Sequence, residues 1–391
     1  MGAADPPVAL VPQPQSDGWL ARWCAWRDRL LTSPEFQRRA ARNWFLRPLV
    51  RRRARALFDL VAGFVYSQVL LGCVRVRAFE ILAEGPQSAA VLARRFGVPL
   101  EGTERLLAAA AALQLVEPRD GGLYGLGRLG APLVGNDALT SMIEHHAVLY
   151  ADLRDPLALL RGEGEAPALS RYWAYATADA PGTLARDQVD VYSALMSASQ
   201  PLVAQQVLDA YPLQGHRRLL DVGGGQGRFL IAAGQHAPGL GLMLFDLPAV
   251  VASATAAFAA HGLSDRAKVF GGDFTRDVLP QGADIVSLVR VIYDHPDERA
   301  LAILRAAHAA LPPGGTLLLA EPMAGAPGAP RMGDAYFGMY LLAMRGGRAR
   351  AVDALAALLR TAGFEDVRER PTPIPLQVGV IVAQKPQSAQ A

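Results

Sequence analysis

The chain has 391 residues, 51% hydrophobic and 19% charged, with a formal net charge of +3. This is a globular composition, long enough for two domains with real cores, and it excludes a disordered chain. Two cysteines, Cys24 and Cys73, are too few for a disulfide framework and lack metal-ligand spacing, so a reducing, cytoplasmic setting is expected.

Residues 1–17 are proline-rich, show no secretory pattern, and read as a disordered leader. Over residues 19–58 arginines 38, 39, 42, 47, 51, 52, 53 and 55 alternate with Trp44, Phe45, Leu46, Leu49 and Val50. One reading is an interfacial segment, residues 19–55, lying on anionic lipid. The other is a solvated helical hairpin packed on the neighbouring domain. The uncharged run between Asp59 and Arg75 would cover about 22 Å as a helix, short of the roughly 30 Å hydrocarbon core. It is expected to be a buried helix, not a membrane span.

Residues 56–200 read as a helical domain. A long helix ending near Ala83 precedes AAVLARRF, a turn at Gly97–Pro99, and GTERLLAAAAALQLV. The glycine-rich turn at residues 118–122 then predicts a hairpin, giving a winged helix. DNA binding is weakened by the second helix, which offers only Arg105 and is otherwise apolar nearly all round. Such a helix is expected at a subunit interface. His145 and His146 are adjacent, with no acid at i,i+4, so no metal site is expected; His145 is a candidate for lining a pocket.

From residue 201 to 391 short apolar runs alternate with helices: RLLDVG, LGLMLFD, AKVFGGD, ADIVSLVR and GTLLLAEP. That alternation predicts an α/β, doubly wound, mostly parallel sheet. Two final runs without a helix between them predict a C-terminal antiparallel hairpin.

The glycine loop LLDVGGGQGRF follows the first of these strands, with Asp221 at the strand end and Arg228 where a dinucleotide fingerprint needs glycine. Asp246 ends the second strand, and Asp273 follows the third. Three acids suit a ligand with hydroxyls, an ammonium and an adenine amine; they would repel a pyrophosphate. S-adenosylmethionine fits, with a nicotinamide enzyme as the alternative.

LLDVGGGQG, FDLP, GGDF and LPPGGTLLLAEP together resemble the class I O-methyltransferases of the caffeate and acetylserotonin type. The resemblance covers residues 56–385 and implies a Rossmann-like methyltransferase domain with a helical, winged-helix dimerisation domain, hence a homodimer. It implies cofactor contacts from Asp221, Gly223, Gly225, Asp246, Leu247, Asp273, Phe274, Arg290 and Met196. The family's histidine base aligns with Tyr293 in RVIYDHPDE, a poor base at neutral pH, so either transfer is driven by proximity with the proton leaving late or His295 takes over the base role. Glu321 matches the carboxylate that orients that histidine, and a second one near Ala349 is missing. Asp297 and Glu298 read as favourable first-turn helix charges.

In MGDAYFGMYLLAMRGG, Tyr336, Met339, Tyr340 and Met344 stand where the family holds its acceptor. With EHHAVLYADLRDPLALLRG and SLVRVIYDH, this stretch resembles the carotenoid O-methyltransferases of purple phototrophic bacteria, the demethylspheroidene type. That resemblance implies methylation of the tertiary 1-hydroxyl of an acyclic carotenoid. Two alternatives are a tailoring O-methyltransferase for an aromatic polyketide and a winged-helix protein that senses S-adenosylmethionine.

Overall fold

The structure is a computed structural model that describes residues 18–173, 186–325, 331–375 and 377–387. The expected leader at 1–17 lies outside the described residues.

Seven strands form the main sheet: β4 (Arg218–Val222), β5 (Gly241–Asp246), β6 (Ala267–Gly271), β7 (Ile285–Val289), β8 (Thr316–Glu321), β9 (Glu365–Arg370) and β10 (Gly379–Gln384). Their order is β6-β5-β4-β7-β8-β10-β9, with β10 antiparallel to both neighbours. The expected doubly wound sheet and terminal hairpin are therefore both present. Helices cover the two faces, so the central strands are apolar on both sides: Leu219, Leu220 and Val222 of β4 are fully buried. Leu220 and Val222 pack toward Ile303 and Leu304. Leu219 faces Phe229 and Leu230, from the helix after the glycine loop. The order reverses between β4 and β7, which opens a crevice at their carboxyl ends.

The N-terminal part contains the helices Ala89–Phe96 and Leu100–Ala112, then β2 (Val116–Arg119) and β3 (Leu123–Leu126), joined by β1 (Gln87–Ser88) in a small antiparallel sheet. Only Thr103, Leu107 and Ala110 of the second helix are buried. Its exposed face holds Glu101 and Glu104 beside Arg105, whose guanidinium is 2.5 Å from Glu101. That charge pattern does not suit a DNA groove.

The long helix departs from expectation. It runs 29 residues, Arg47–Arg75, through position 55/56, where the sequence suggested a domain boundary. It stops before Ala83 because Arg77 takes a left-handed φ of 54°. It was expected to be buried, but Leu57, Phe58, Leu60, Val61, Phe64 and Val65 are exposed, Val61 at 75%. Only Leu71, Cys73 and Val74, in the last third of this helix, are buried, while Phe64 meets Tyr150 edge-on at 5.7 Å. Position 200/201 likewise falls inside a helix, Arg186–Ala210, which continues through Pro201.

Candidate active site

The crevice begins at the glycine loop. Gly223, Gly225 and Gly227 all have positive φ, 71°, 60° and 75°. A Cβ on Gly224 would sit 2.3 Å from Asp221 Oδ2 and 2.5 Å from Leu244. Close packing and left-handed backbone together explain why this loop is almost entirely glycine. The Gly225 N–H donates to Asp246 Oδ2 and the Leu247 N–H to Asp246 Oδ1, both at 2.7 Å, tying the loop to the end of β5.

Asp221 is buried; its Oδ1 accepts from Ser287 Oγ at 2.6 Å while Oδ2 has no hydrogen-bond partner. Burial pushes its carboxyl up to about 7, opposed by the Ser287 bond and reinforced by the charge of Asp246. Burial also raises Asp246, to about 6, against the pull of its two backbone bonds. A buried carboxylate with an open lone pair demands a cation or a hydroxyl donor. Asp273 is partly committed to its own turn, with Oδ1 accepting from the Thr275 N–H at 2.9 Å and the Thr275 hydroxyl at 2.6 Å. Phe274 and Thr275 line the same wall.

On the opposite wall Arg290 sits at φ 60° after β7. Its guanidinium reaches the Arg186–Ala210 helix, 2.9 Å from Ser199 Oγ and 2.6 Å from Met196 Sδ. The cleft lining thus includes Gly223, Gly225, Asp246, Leu247, Asp273, Phe274, Arg290 and Met196. Asp221 lies beneath the loop.

The segment after β7 is held from below. Glu321 Oε1, at the end of β8, accepts from the Val291 N–H at 3.1 Å and the Ile292 N–H at 2.7 Å. Burial raises this carboxyl to about 8 despite those bonds. Glu321 therefore grips backbone where the family resemblance implied that it orients a side chain. Arg350 completes the clamp, donating to the carbonyls of Ile292 at 3.0 Å and His295 at 2.7 Å and to Asp297 at 2.8 Å. Sequence reasoning noticed only a missing carboxylate near Ala349; the neighbouring buried arginine was the signal available. Asp297 and Glu298 do open the Asp297–Ala310 helix, but Asp297 is also the partner of Arg348 and Arg350.

His295 lies on the cofactor wall, its ring 5.6 Å from Phe274 and edge-on. Burial, then Arg299 and Arg350, push it down to about 3, so it is neutral. Tyr293 turns the other way into an apolar cluster, 6.0 Å from Phe337, and burial raises its hydroxyl well above the usual phenol range.

That cluster joins both parts of the chain and includes Tyr336, Met339, Tyr340 and Met344. The two adjacent histidines of the Asp137–Asp152 helix reach tyrosines one turn apart: His145 Nε2 to Tyr340 Oη at 2.8 Å, His146 Nε2 to Tyr336 Oη at 2.9 Å. Trp173 Nε1 also donates to Tyr340 Oη, at 2.8 Å. The role of Trp173 was missed; it is the one tryptophan outside the arginine-rich segment, a hint that it serves elsewhere. Among the described residues no group of three or more His, Cys, Asp or Glu is arranged to hold a metal ion.

Comparison with known proteins gives a consistent picture. Residues 150–365 match the model of the O-methyltransferase domain, and residues 58–136 that of the O-methyltransferase dimerisation domain. The chain is 43% identical to a demethylspheroidene O-methyltransferase of Cereibacter sphaeroides, over 92% of this chain and 95% of that one. It is 33% identical to the acetylserotonin O-methyltransferase of Mus musculus, over 81% and 85%. The solved human N-acetylserotonin methyltransferase in complex with SAM superposes with a TM-score of 0.71 at 25% identity, over 86% of this chain and 98% of that one.

Two expectations follow for the cleft. Ligand hydroxyls and an ammonium favour ionised Asp221 and Asp246, which protonate near 7 and 6 in the free protein. Affinity for S-adenosylhomocysteine should therefore fall at least about tenfold from pH 8 to pH 5; titration calorimetry giving a flat profile would contradict this. Gly224→Ala forces its Cβ onto Asp221. An overpacking cost of about 1–3 kcal/mol corresponds to roughly ten- to hundredfold weaker binding, and wild-type affinity in the folded variant would refute the cradle.

Proposed function

The chain belongs to the O-methyltransferase family, and from that premise we propose that it methylates the tertiary 1-hydroxyl of an acyclic hydroxycarotenoid. S-adenosylmethionine, when bound, supplies an electrophilic methyl group on a cationic sulfur. The residues present fit it: the unpartnered Asp221 Oδ2 is suited to an ammonium, Asp246 to ribose hydroxyls, and the glycine cradle to close approach. Asp273 and Phe274 would hold the adenine. Arg290 ties the far wall to Met196.

The observation that carries the substrate reading is Tyr293. A histidine base suits a phenol, whose pKa of about 10 lies within useful reach. Tyr293 stands at that base's position, is buried, and has its own ionisation pushed further up. A tertiary aliphatic alcohol is not ionised before methyl transfer by any ordinary side chain, so a phenol-type base is dispensable. The acceptor side agrees, because Phe337, Met339, Leu341 and Met344 belong to one largely apolar cluster. The names of the relatives from Cereibacter sphaeroides and Rhodobacter capsulatus support the same reading.

We further propose that the protein is a homodimer whose partner covers the exposed apolar face of the Arg47–Arg75 helix, since the dimerisation match begins at residue 58. Residues 19–55 then serve as a peripheral anchor on the cytoplasmic side of an anionic membrane. Four of the five tryptophans lie there, all at least half exposed, with Trp19 at 74% and Trp44 at 73%. Residues 19–58 hold eleven arginines against two acids, although the whole chain carries only +3.

Labelled S-adenosylmethionine incubated with the protein and membranes containing 1-hydroxycarotenoid should yield label in the extracted pigment. Label in added phenols but none in pigment would replace this reading with the aromatic one. Each arginine near an anionic surface is worth about 1 kcal/mol, so replacing Arg51, Arg52 and Arg53 with glutamine should weaken binding to anionic vesicles roughly a hundredfold. Unchanged co-sedimentation would refute the anchor.

A further inference from the structure

With Tyr293 in place of the family's base, the acceptor's proton needs another exit. The groups that the family resemblance would nominate are partly committed, although Glu321 Oε2 and His295 Nδ1 have no hydrogen-bond partner. Glu321 Oε1 is spent on backbone N–H groups, and His295 stands against Phe274 on the cofactor wall. On the acceptor side there is one connected chain of polar atoms. Tyr340 Oη is 2.8 Å from Trp173 Nε1 and 2.8 Å from His145 Nε2, and all three residues are buried.

We infer that Tyr340 and His145 form the proton exit for the acceptor hydroxyl, with Tyr340 as the catalytic residue and His145 accepting through it. An indole N–H can only donate, so Trp173 occupies one lone pair of Tyr340 Oη. A neutral imidazole offers an unprotonated nitrogen, and Nε2 of His145 takes the Tyr340 hydrogen. Burial first, and His146 next, keep His145 neutral by lowering it to about 4. The second lone pair of Tyr340 remains for an incoming hydroxyl.

Position supports the assignment. Tyr340 packs in one cluster with Leu247, Val250 and Met196, and those three also line the glycine-loop cleft. Tyr340 thus belongs to the apolar cluster that adjoins the cleft wall. The neighbouring pair shares the tyrosine–imidazole bond but lacks the indole donor. His146 Nδ1 is 2.5 Å from the Met142 carbonyl, which makes Nε2 the acceptor for Tyr336, and no indole donor polarises that hydroxyl.

The step balances as follows. An acceptor oxygen lone pair forms the new C–O bond while the methyl carbon's bonding pair to sulfur stays on sulfur as a neutral thioether. As that bond forms, the oxygen gains positive charge and becomes a strong acid, so its proton leaves within the same transition state. Its proton passes to Tyr340 Oη, the Tyr340 proton passes to His145 Nε2, and the imidazolium releases it to solvent as product leaves. A group titrating near 4 is an inadequate base for a neutral alcohol but ample for a protonated ether, so the relay matches the aliphatic acceptor.

This inference rests on the hydroxycarotenoid reading, and the experiment separates the two. Steady-state methyl transfer would be measured with full-length wild type, Tyr340→Phe and His145→Gln, the last keeping a hydrogen-bond acceptor that cannot be protonated. S-adenosylhomocysteine affinity and thermal midpoint check the fold. General acid–base groups are worth about 10²–10⁴-fold, so both variants should lose about a hundredfold or more in kcat with KM within about threefold. Retained kcat in either folded variant, or a loss confined to KM, would overturn the relay. If wild type methylates a phenol but no carotenoid, the substrate reading fails, and the same variants on that phenol decide the relay by the same criterion.

Discussion

Carboxylates buried at the carboxyl ends of parallel strands are the constraint on which this molecule depends. Asp221 is the penultimate residue of β4, Asp246 ends β5 and Glu321 ends β8, and each is raised by burial. A buried carboxylate is costly unless it is hydrogen-bonded. Two of the three recruit backbone N–H groups, and this shapes the site: Asp246 holds the glycine loop, and Glu321 holds residues 291 and 292. Asp221 accepts only from a side chain, Ser287, and its Oδ2 is buried without a partner, as is Oε2 of Glu321. The cleft lining carries Asp246, Asp273 and Asp294 against Arg228, Arg290 and Arg299, so the buried acids beside the glycine loop rather than net charge favour a cationic methyl donor.

The acceptor side obeys a different rule. Its polar atoms pair with one another across the two parts of the chain, His145 with Tyr340 and His146 with Tyr336. Around them the surface is aliphatic and aromatic. Such a wall recognises a long apolar molecule by burial and a single oxygen by direction. Arg350 and Glu321 keep the backbone of residues 291–295 fixed between the two sites, so Tyr293 faces the acceptor cluster while His295 faces Phe274.

Much of this was legible in the sequence for identifiable reasons. Apolar runs alternating with helices set the sheet, and glycines at residues 223–227 marked a loop whose packing admits no side chain at Gly224. What escaped was direction and partnership. Whether His295 meets donor or acceptor depends on a turn at residues 292–294 that is held by Glu321 and Arg350, and the latter is 55 residues away. The Arg47–Arg75 helix was misread as buried because composition alone cannot tell a core from a face awaiting a partner. The resemblance supplied the substrate class; nothing in spacing or periodicity could have done so.

The central claim is that this site is built for an aliphatic hydroxyl that loses its proton late. The most direct measurement is a competition in one reaction between an acyclic tertiary hydroxypolyene and a phenol of matched size and hydrophobicity. The account predicts a higher kcat/KM for the tertiary alcohol despite its far weaker acidity. Preference for the phenol would contradict it.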